Sequence, residues 1–239
     1  MPDEPTRLSK IVAAQLPCSR REAEQYIAEG WVRVDGKVVE EPQFRVAGER
    51  VVEIDPRAKL QRAAAATFLF HKPPGMNSVQ AQELLPGAAT HWAGDVSGIR
   101  RVKSHGMGLI SLLSLPPQAE GLSVISQDHR IVRKLREDGQ LVEQELVAEV
   151  SGVIAPGGLE RLGNGLVFEG RPLPPARVSW QSEARLRFAV KGLPLQMVPW
   201  MCAQVGLELT ALKRIRIGRV PMGRLPRGEW RYLAAGERF

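Results

Sequence analysis

Residues 7–39 read RLSKIVAAQLPCSRREAEQYIAEGWVRVDGKVV, and this stretch predicts two short helices followed by a β-hairpin. Apolar residues at helical spacing indicate a first helix over residues 7–16, and Pro17 ends it. Ser19 and Glu22 stand three residues apart, which is the spacing of a capping box at the start of a second helix. The first half of the stretch therefore predicts a pair of helices with a sharp break between them.

The second half of the stretch predicts the hairpin. Gly30 suits the end of the second helix, because glycine readily adopts the left-handed conformation found there. Asp35 and Gly36 separate two valine-rich runs, and Asp-Gly is a strong signal for a two-residue turn. A further strand is expected over residues 50–54. Together these elements predict a small N-terminal module.

The composition of the whole chain is typical of a globular protein. Of its 239 residues, 44% are hydrophobic and 25% are charged, which suffices for a core within a polar surface. No apolar run approaches the ~20 residues of a membrane helix, and no signal-peptide pattern is present. Cys18 and Cys202 lie far apart, and no cysteine or histidine spacing indicates a metal site. We expect a reduced cytoplasmic protein that binds no metal.

The positive charge is concentrated at the C-terminal end of the chain. The formal net charge is +7, and residues 191–239 alone hold nine basic and three acidic side chains, a net +6. Residues 1–62 are balanced, and residues 63–190 contribute +1. A concentrated positive field attracts polyanions such as nucleic acid, although such cations can also serve only to stabilise a sheet edge. The candidate RNA contacts in this region are Lys213, Arg214, Arg216 and Arg219.

The pattern of secondary structure changes after the N-terminal module. Residues 55–66 combine proline, charges and a run of four alanines, which indicates a linker. Beyond Thr67 the sequence predicts strands and loops with a few short helices, such as the helix over residues 129–137. We therefore predict an N-terminal module over 1–56, a linker over 57–66 and a larger domain of the α+β class over 67–239.

The N-terminal stretch resembles the αL RNA-binding module, a small domain found in a ribosomal small-subunit protein and in many RNA-modifying enzymes. The SRREA helix start, Gly30 and the VRVDGK hairpin carry the resemblance, which covers about residues 6–54. In that family a basic helix face grips structured RNA through its phosphates. The resemblance implies RNA contacts at Arg7, Lys10, Arg20, Arg21, Arg33 and Lys37.

The larger domain resembles the ribosomal-type pseudouridine synthases, in the branch that carries an αL module in front. FLFHKPPGM at residues 68–76 resembles the strand and turn that open the family's catalytic domain. LKRIRIGRVPMGRLPRGEWRYL at residues 212–233 resembles that branch's C-terminal signature, and EGLSVISQD at residues 120–128 resembles the strand after its catalytic loop. The resemblance implies a mixed, mainly antiparallel sheet with flanking helices, a monomer, and uridine-to-pseudouridine isomerisation without a cofactor.

The active-site positions depart from that family. Anchored on the Gly-Leu pair at 121–122, the family's nucleophilic aspartate falls on Pro116 and its serine or threonine falls on Ala119. Proline has no side-chain lone pair, so it cannot act as a nucleophile or a base. The family's active-site tyrosine corresponds to Leu146, and its arginine-rich helix corresponds to residues 194–200, which contain no arginine. An aspartate placed at position 116 is expected to have apolar neighbours and no cationic partner.

Other carboxylates are candidates for a displaced nucleophile. Asp95 has flanking glycines nearby and lies close in sequence to two arginines, but it stands 26 residues before Gly121, and a turn residue is the alternative interpretation. Glu120 and Asp128 adjoin the loop; Asp128 matches a turn residue of the family that has no catalytic role. The sequence therefore assigns no catalytic residue.

The sequence supports three functional hypotheses. The first is an RNA-binding protein with a pseudouridine-synthase fold and a degenerate active site, which binds structured ribosomal RNA or transfer RNA. The second is an active pseudouridine synthase that uses a displaced carboxylate. The third is a scaffold for protein interactions without RNA, which the C-terminal charge disfavours.

Overall fold

The computed structural model describes residues 5–58 and 64–239, and it divides the chain into two compact units. The first comprises Met1–Ala65 with Arg100–Gly108, and the second comprises Ala66–Ile99 with Leu109–Phe239. Of the predicted linker at 57–66, residues 59–63 lie outside the described residues. Among the described residues, no helix is both long and apolar enough to cross a membrane.

The first unit contains two helices and five short strands. They are β1 (Thr6–Arg7), α1 (Leu8–Gln15), α2 (Arg20–Ala28), β2 (Val32–Val34), β3 (Lys37–Val38), β4 (Arg45–Val46) and β5 (Val52–Ile54). The capping box forms as predicted, since the Ser19 hydroxyl accepts from the Glu22 backbone and the Glu22 carboxylate accepts from the Ser19 backbone. Asp35 and Gly36 take φ angles of 50° and 75°, which the predicted hairpin turn requires.

The core of the first unit is built from the apolar faces of both helices and from the hairpin. Leu8, Val12, Ala23 and Ile27 are 0% exposed, and the helix residues pack with Val32 of the hairpin. These positions recur at helical spacing in α1 and α2, so the burial follows directly from the sequence pattern.

A segment distant in sequence completes the first unit. The Arg100 guanidinium lies 3.6 Å from the centroid of the Trp31 ring and donates a hydrogen bond to the Glu29 carbonyl at the end of α2. Lys103 Nζ lies 2.8 Å from Glu41 Oε1. Boundaries drawn along a continuous sequence do not include this segment, because only contacts in space bring it to the first unit.

The second unit contains the remaining elements. They are β6 (Thr67–Lys72), α3 (Ser78–Glu83), β7 (Ile110–Leu112), β8 (Glu120–Ser126), α4 (His129–Glu137), β9 (Gln144–Gly152), α5 (Gly158–Gly163), β10 (Val167–Phe168), β11 (Arg171–Pro172), β12 (Ala176–Ser182), β13 (Arg185–Val190), α6 (Val198–Ala203), β14 (Leu207–Ile217), β15 (Val220–Pro221) and β16 (Trp230–Tyr232).

A nine-stranded sheet organises the second unit. Its main path runs β12-β13-β9-β14-β8-β6-β16, with β15 paired to β14 and β7 paired to β8. Only the β14–β8 pairing is parallel among these named strands, and the other pairings are antiparallel. The α+β class and the mixed, mainly antiparallel sheet are therefore confirmed.

The two faces of this sheet have different environments. On one face, Leu146, Ala148 and Phe188 pack in an apolar cluster with Val198, Met201 and other residues of the helices. On the opposite face, Glu149 pairs across the strands with Arg185. Because neighbouring residues of a strand point to opposite faces, the β9 sequence ELVAEV supplies both surfaces.

The parallel join between β8 and β14 depends on a glycine. Gly121 has φ +115° and lies opposite Arg214 in the register. A Cβ atom at Gly121 would overlap the Arg214 carbonyl oxygen and lie 2.7 Å from the Arg214 nitrogen. The backbones of the two strands therefore approach too closely for any side chain at this position.

We expect Gly121→Ala to destabilise the protein by roughly 2–5 kcal/mol, because it adds backbone strain to a steric overlap. Gly223→Ala is the matched control, since Gly223 has φ +61° and nothing within 4 Å of the added atom. The control should cost about 1 kcal/mol of backbone strain. Denaturant unfolding of both variants measures the difference, and equal losses would contradict the close-approach argument.

Candidate functional site

A pocket of about 410 Å³ brings together positions that are distant in sequence. One wall is the loop before β8, with Pro116, Gln118 and Ala119. A second wall is the segment that begins α6, and β14 supplies the third. The lining residues from these two walls are Leu195, Gln196, Pro199, Leu209, Thr210, Ala211 and Leu212. The positions aligned with the family's aspartate, serine or threonine, and arginine helix thus meet at one cavity, and none of its described lining side chains is ionisable.

Leu146, at the position aligned with the family's tyrosine, belongs to the apolar core. Its side chain is 0% exposed and packs in the cluster that contains Leu115, Ala119 and Leu195. An aliphatic core side chain therefore lies where the resemblance places an aromatic group. It supplies no polar atom to the pocket.

Lys72 is a buried cation next to the loop that carries Pro116. Its side chain is almost fully buried, and its Nζ donates to the carbonyl oxygens of Pro73, Met76 and Pro117 at 3.0, 2.9 and 3.0 Å. Burial lowers the pKa of the Lys72 amine to about 8. The sequence analysis did not single out Lys72. The pattern that could have indicated it is a lysine at the end of the strand segment FLFHK, whose first three residues are apolar.

Lys72 bears on one expectation about position 116. The sequence predicts no cationic partner for an aspartate there, and the structure places a cation next to this loop, with Lys72 Nζ 3.0 Å from the carbonyl oxygen of Pro117.

Arg214 is a second buried cation at this loop. Its side chain is 0% exposed. Nε donates to the Leu122 carbonyl at 2.7 Å, and Nη1 donates to the Leu113 carbonyl at 2.6 Å and to Gln144 Oε1 at 2.7 Å. Burial lowers the pKa of its guanidinium. The prediction that Arg214 contacts RNA is wrong, because a phosphate on the surface cannot reach it.

Asp95 lies at the edge of the sheet, away from the pocket lining. Its Oδ2 accepts from His91 Nε2 at 2.8 Å and from the Tyr232 backbone at 2.9 Å, and its Oδ1 accepts from the Ser97 backbone at 2.8 Å. Tyr232 belongs to β16, which is separated from β8 by β6. Burial raises the pKa of Asp95, but the hydrogen bonds from these three partners hold it below the usual value. The contacts are those of a turn residue that anchors an edge strand.

Carboxylates from other strands pair with several of the C-terminal cations. Lys213 Nζ lies 3.0 Å from Glu120 Oε1. Arg216 lies between Glu143 and Glu145, at 2.7 and 2.8 Å. Arg219 is exposed. The charge excess read from the sequence is thus reduced in the folded protein by acidic residues of β8, β9 and the turn before β9.

The cations predicted in the first unit all lie on its surface. The exposed residues are Arg7, Lys10, Arg20, Arg21, Arg33 and Lys37. Arg20 pairs with Glu24 one turn further along α2, at 3.1 Å. Such an exposed pair is weak, so it leaves the guanidinium available to an anionic ligand.

No cluster of histidine, cysteine, aspartate and glutamate among residues 5–58 and 64–239 could hold a metal ion.

Comparisons with known proteins agree with this architecture. The S4 domain family matches residues 6–52. Dual-specificity RNA pseudouridine synthase RluF of Salmonella typhi is 29% identical over 238 residues, covering 98% of this chain and 78% of that protein. Ribosomal large subunit pseudouridine synthase B of Bacillus subtilis (strain 168) is 27% identical over 237 residues, covering 97% of this chain and 93% of that protein.

A solved structure supports the fold. The superposition on a crystal structure of pseudouridylate synthase covers 95% of this chain and 96% of the other chain. Its TM-score is 0.58, and the sequences are 18% identical. The fold and the site thus define a class, in which an S4 domain precedes a domain of the pseudouridine-synthase fold. The chain carries an S4 domain and is similar to RluF-type and ribosomal large subunit RNA pseudouridine synthases over nearly its whole length, so both resemblances drawn from the sequence are confirmed.

The buried amine of Lys72 predicts a pH-dependent stability. An unfolded lysine titrates near 10.4, whereas the folded pKa is about 8. Between these values the unfolded chain holds a proton that the folded chain has released, so stability rises with pH. We therefore compare the free energy of unfolding of the wild type with that of Lys72→Met. The difference, wild type minus variant, should increase by about 1–3 kcal/mol between pH 7.5 and pH 10.

Urea unfolding across that pH range measures this difference. Lys134→Met is the control for the substitution itself, because Lys134 is exposed on α4. A flat difference for Lys72→Met would show that burial does not govern the titration of this amine.

Proposed function

We propose that this protein binds structured RNA and does not isomerise uridine. The observation that carries the proposal is the composition of the pocket: Pro116 occupies the aligned nucleophile position in a cavity whose described lining is neutral. Without a side-chain lone pair at position 116, no covalent bond to a sugar or base can form there. The fold is retained as a binding scaffold.

A displaced carboxylate is the alternative, and the contacts of Asp95 count against it. Both Asp95 oxygens accept hydrogen bonds from His91, Ser97 and Tyr232, so this side chain stabilises the edge strand. Glu120 lies closer to the loop, but its carboxylate is held by Lys213 and Arg227. Neither residue lines the neutral pocket.

RNA as the ligand is supported by the S4 domain, by the names of the relatives and by the exposed cations. The relatives are named as RNA pseudouridine synthases, and one is named for the ribosomal large subunit. We therefore propose ribosomal RNA as the ligand, with transfer RNA as the second candidate. The proposed contacts are Arg7, Lys10, Arg20, Arg21, Arg33, Lys37, Lys213 and Arg219. The protein acts in the cytoplasm as a monomer, without cofactor or metal.

We expect Arg20→Glu with Arg21→Glu to weaken the binding of a structured RNA at least tenfold. Lysine and arginine contacts release counterions from RNA, so losing two contacts should flatten the log–log salt dependence by about 1.5. Fluorescence anisotropy with a ribosomal RNA stem-loop at several salt concentrations measures both effects.

A charge-matched control is available in the second unit. Arg133 and Arg136 are exposed on α4, and Arg133 pairs with Glu137 at 3.1 Å, as Arg20 pairs with Glu24. Changing both to glutamate should leave most of the affinity and the slope unchanged. Equal losses in the two double variants would show that only net charge matters and would remove the S4 domain from the proposed interface.

We expect no pseudouridine in ribosomal RNA incubated with the wild type or with Pro116→Asp. Lys72 could serve as a counter-ion for the new carboxylate, but Leu146 supplies no aromatic hydroxyl and the segment 194–200 supplies no guanidinium. Members of a catalytic set act together, so restoring one recovers little. Chemical labelling of pseudouridine is the measurement, with the Bacillus subtilis synthase as the positive control.

Two further variants keep the alternative testable. Pseudouridine made by the wild type and lost in Asp95→Asn or Glu120→Gln would establish an active enzyme with a displaced carboxylate.

A further inference from the structure

One carboxylate on the open sheet face holds two cations at once. Glu120 Oε1 lies 3.0 Å from Lys213 Nζ, and Glu120 Oε2 contacts Arg227 Nη2. The Glu120 side chain is only 12% exposed, whereas those of Lys213 and Arg227 are 33% and 60% exposed. The negative charge is therefore set inward, and the two positive charges face the solvent.

This cluster lies in a groove of about 600 Å³ that crosses several strands of the sheet. Lys213 is opposite Glu120 on β8 and opposite Val147 on β9, so the three side chains form a row on one face. At another point in the groove, Arg185 pairs with Glu149 at 2.9 Å. The groove also shares Gln118 and part of β14 with the neutral pocket, so a chain bound in it would pass the pocket.

The charges of the groove fit a polyanion better than a neutral ligand. Glu120 with Lys213 and Arg227 carries a net +1, and the Arg227 side chain is 60% exposed. An arginine presents several donors at once, which suits phosphate oxygens. Lys213 and Arg227 are more exposed than the carboxylate between them, so a ligand phosphate in the solvent can compete for both cations.

We propose that this groove binds the phosphodiester backbone of RNA and that Glu120 is the internal anion with which the phosphates compete for Lys213 and Arg227. The inference rests on the proposed RNA-binding function and assigns the groove and Glu120 a part in it. Because Glu120 is largely buried, it stays in place and opposes every phosphate that approaches. The residue thus lowers the affinity for RNA, and only an RNA whose phosphates reach both cations binds well.

Glu120→Gln keeps the size of the side chain and removes its charge. We expect the dissociation constant for a ribosomal RNA stem-loop to fall roughly three- to tenfold, because the phosphates no longer compete with a carboxylate for two cations. The log–log salt dependence should steepen by about 1. Adding Lys213→Gln and Arg227→Gln to this variant should abolish the gain.

Glu145→Gln is the matched control. The Glu145 side chain is 13% exposed and also holds two cations, Arg187 at 2.7 Å and Arg216 at 2.8 Å. It lies on the same strand as Val147 but is not part of the groove lining. The control changes the net charge equally, so it should tighten RNA binding less than twofold.

The outcomes separate this inference from the proposed function. A wild type that binds no RNA at low salt would overturn the proposed function and the inference with it. If the wild type binds RNA but Glu120→Gln raises the affinity no more than Glu145→Gln does, the inference alone is overturned. It is also overturned if the higher affinity persists when Lys213 and Arg227 are replaced as well. Thermal unfolding of each variant checks its fold. Should Glu120→Gln unfold, Arg227→Gln alone must weaken binding for the inference to stand.

Discussion

Two buried cations hold the loop before β8, and the shape of the pocket depends on them. Arg214 binds the carbonyl of Leu113 at one end of the loop, and Lys72 binds the carbonyl of Pro117 near the other. A buried charge is costly without hydrogen-bond partners, and Lys72 and Arg214 each donate to a fixed set of carbonyl oxygens. This constraint fixes the position of Pro116 between them.

The same cations explain how the pocket can be neutral while the fold persists. Backbone carbonyls, together with the Gln144 side chain, partner Lys72 and Arg214 in place of an ionised group. Every residue has a backbone carbonyl, whatever its side chain. Substitutions at positions 116 and 119 therefore leave the hydrogen bonds from Lys72 and Arg214 to the backbone intact. The apolar cluster around Leu146 and Leu195 then closes the cavity with aliphatic surface.

Charge on the outer surface is arranged by pairing across strands. Acidic residues of β8, β9 and the turn before β9 pair with arginines of β13 and β14 and with Lys213 of β14. Examples are the pairs Glu120–Lys213 and Glu145–Arg187. The net charge of a segment therefore does not predict its surface potential in a sheet protein, because the register brings distant segments together. The cations left for the proposed RNA contacts are those exposed on the S4 domain, Arg219 and the partly exposed cations of the groove.

The sequence by itself determined the elements whose causes are local. The capping box at Ser19, the Asp35-Gly36 turn and the apolar stripes of α1 and α2 follow from neighbouring residues. The motifs at 68–76 and 212–233 carried the resemblance to the pseudouridine synthases. The sequence also showed proline at the aligned nucleophile position. Only the tertiary structure decided which charges are buried, paired or free. Arg214 and Lys213 are adjacent in sequence, yet one is fully buried and the other faces a groove, because successive strand residues point to opposite faces. Burial and partners arise from contacts between distant segments, which no local pattern encodes.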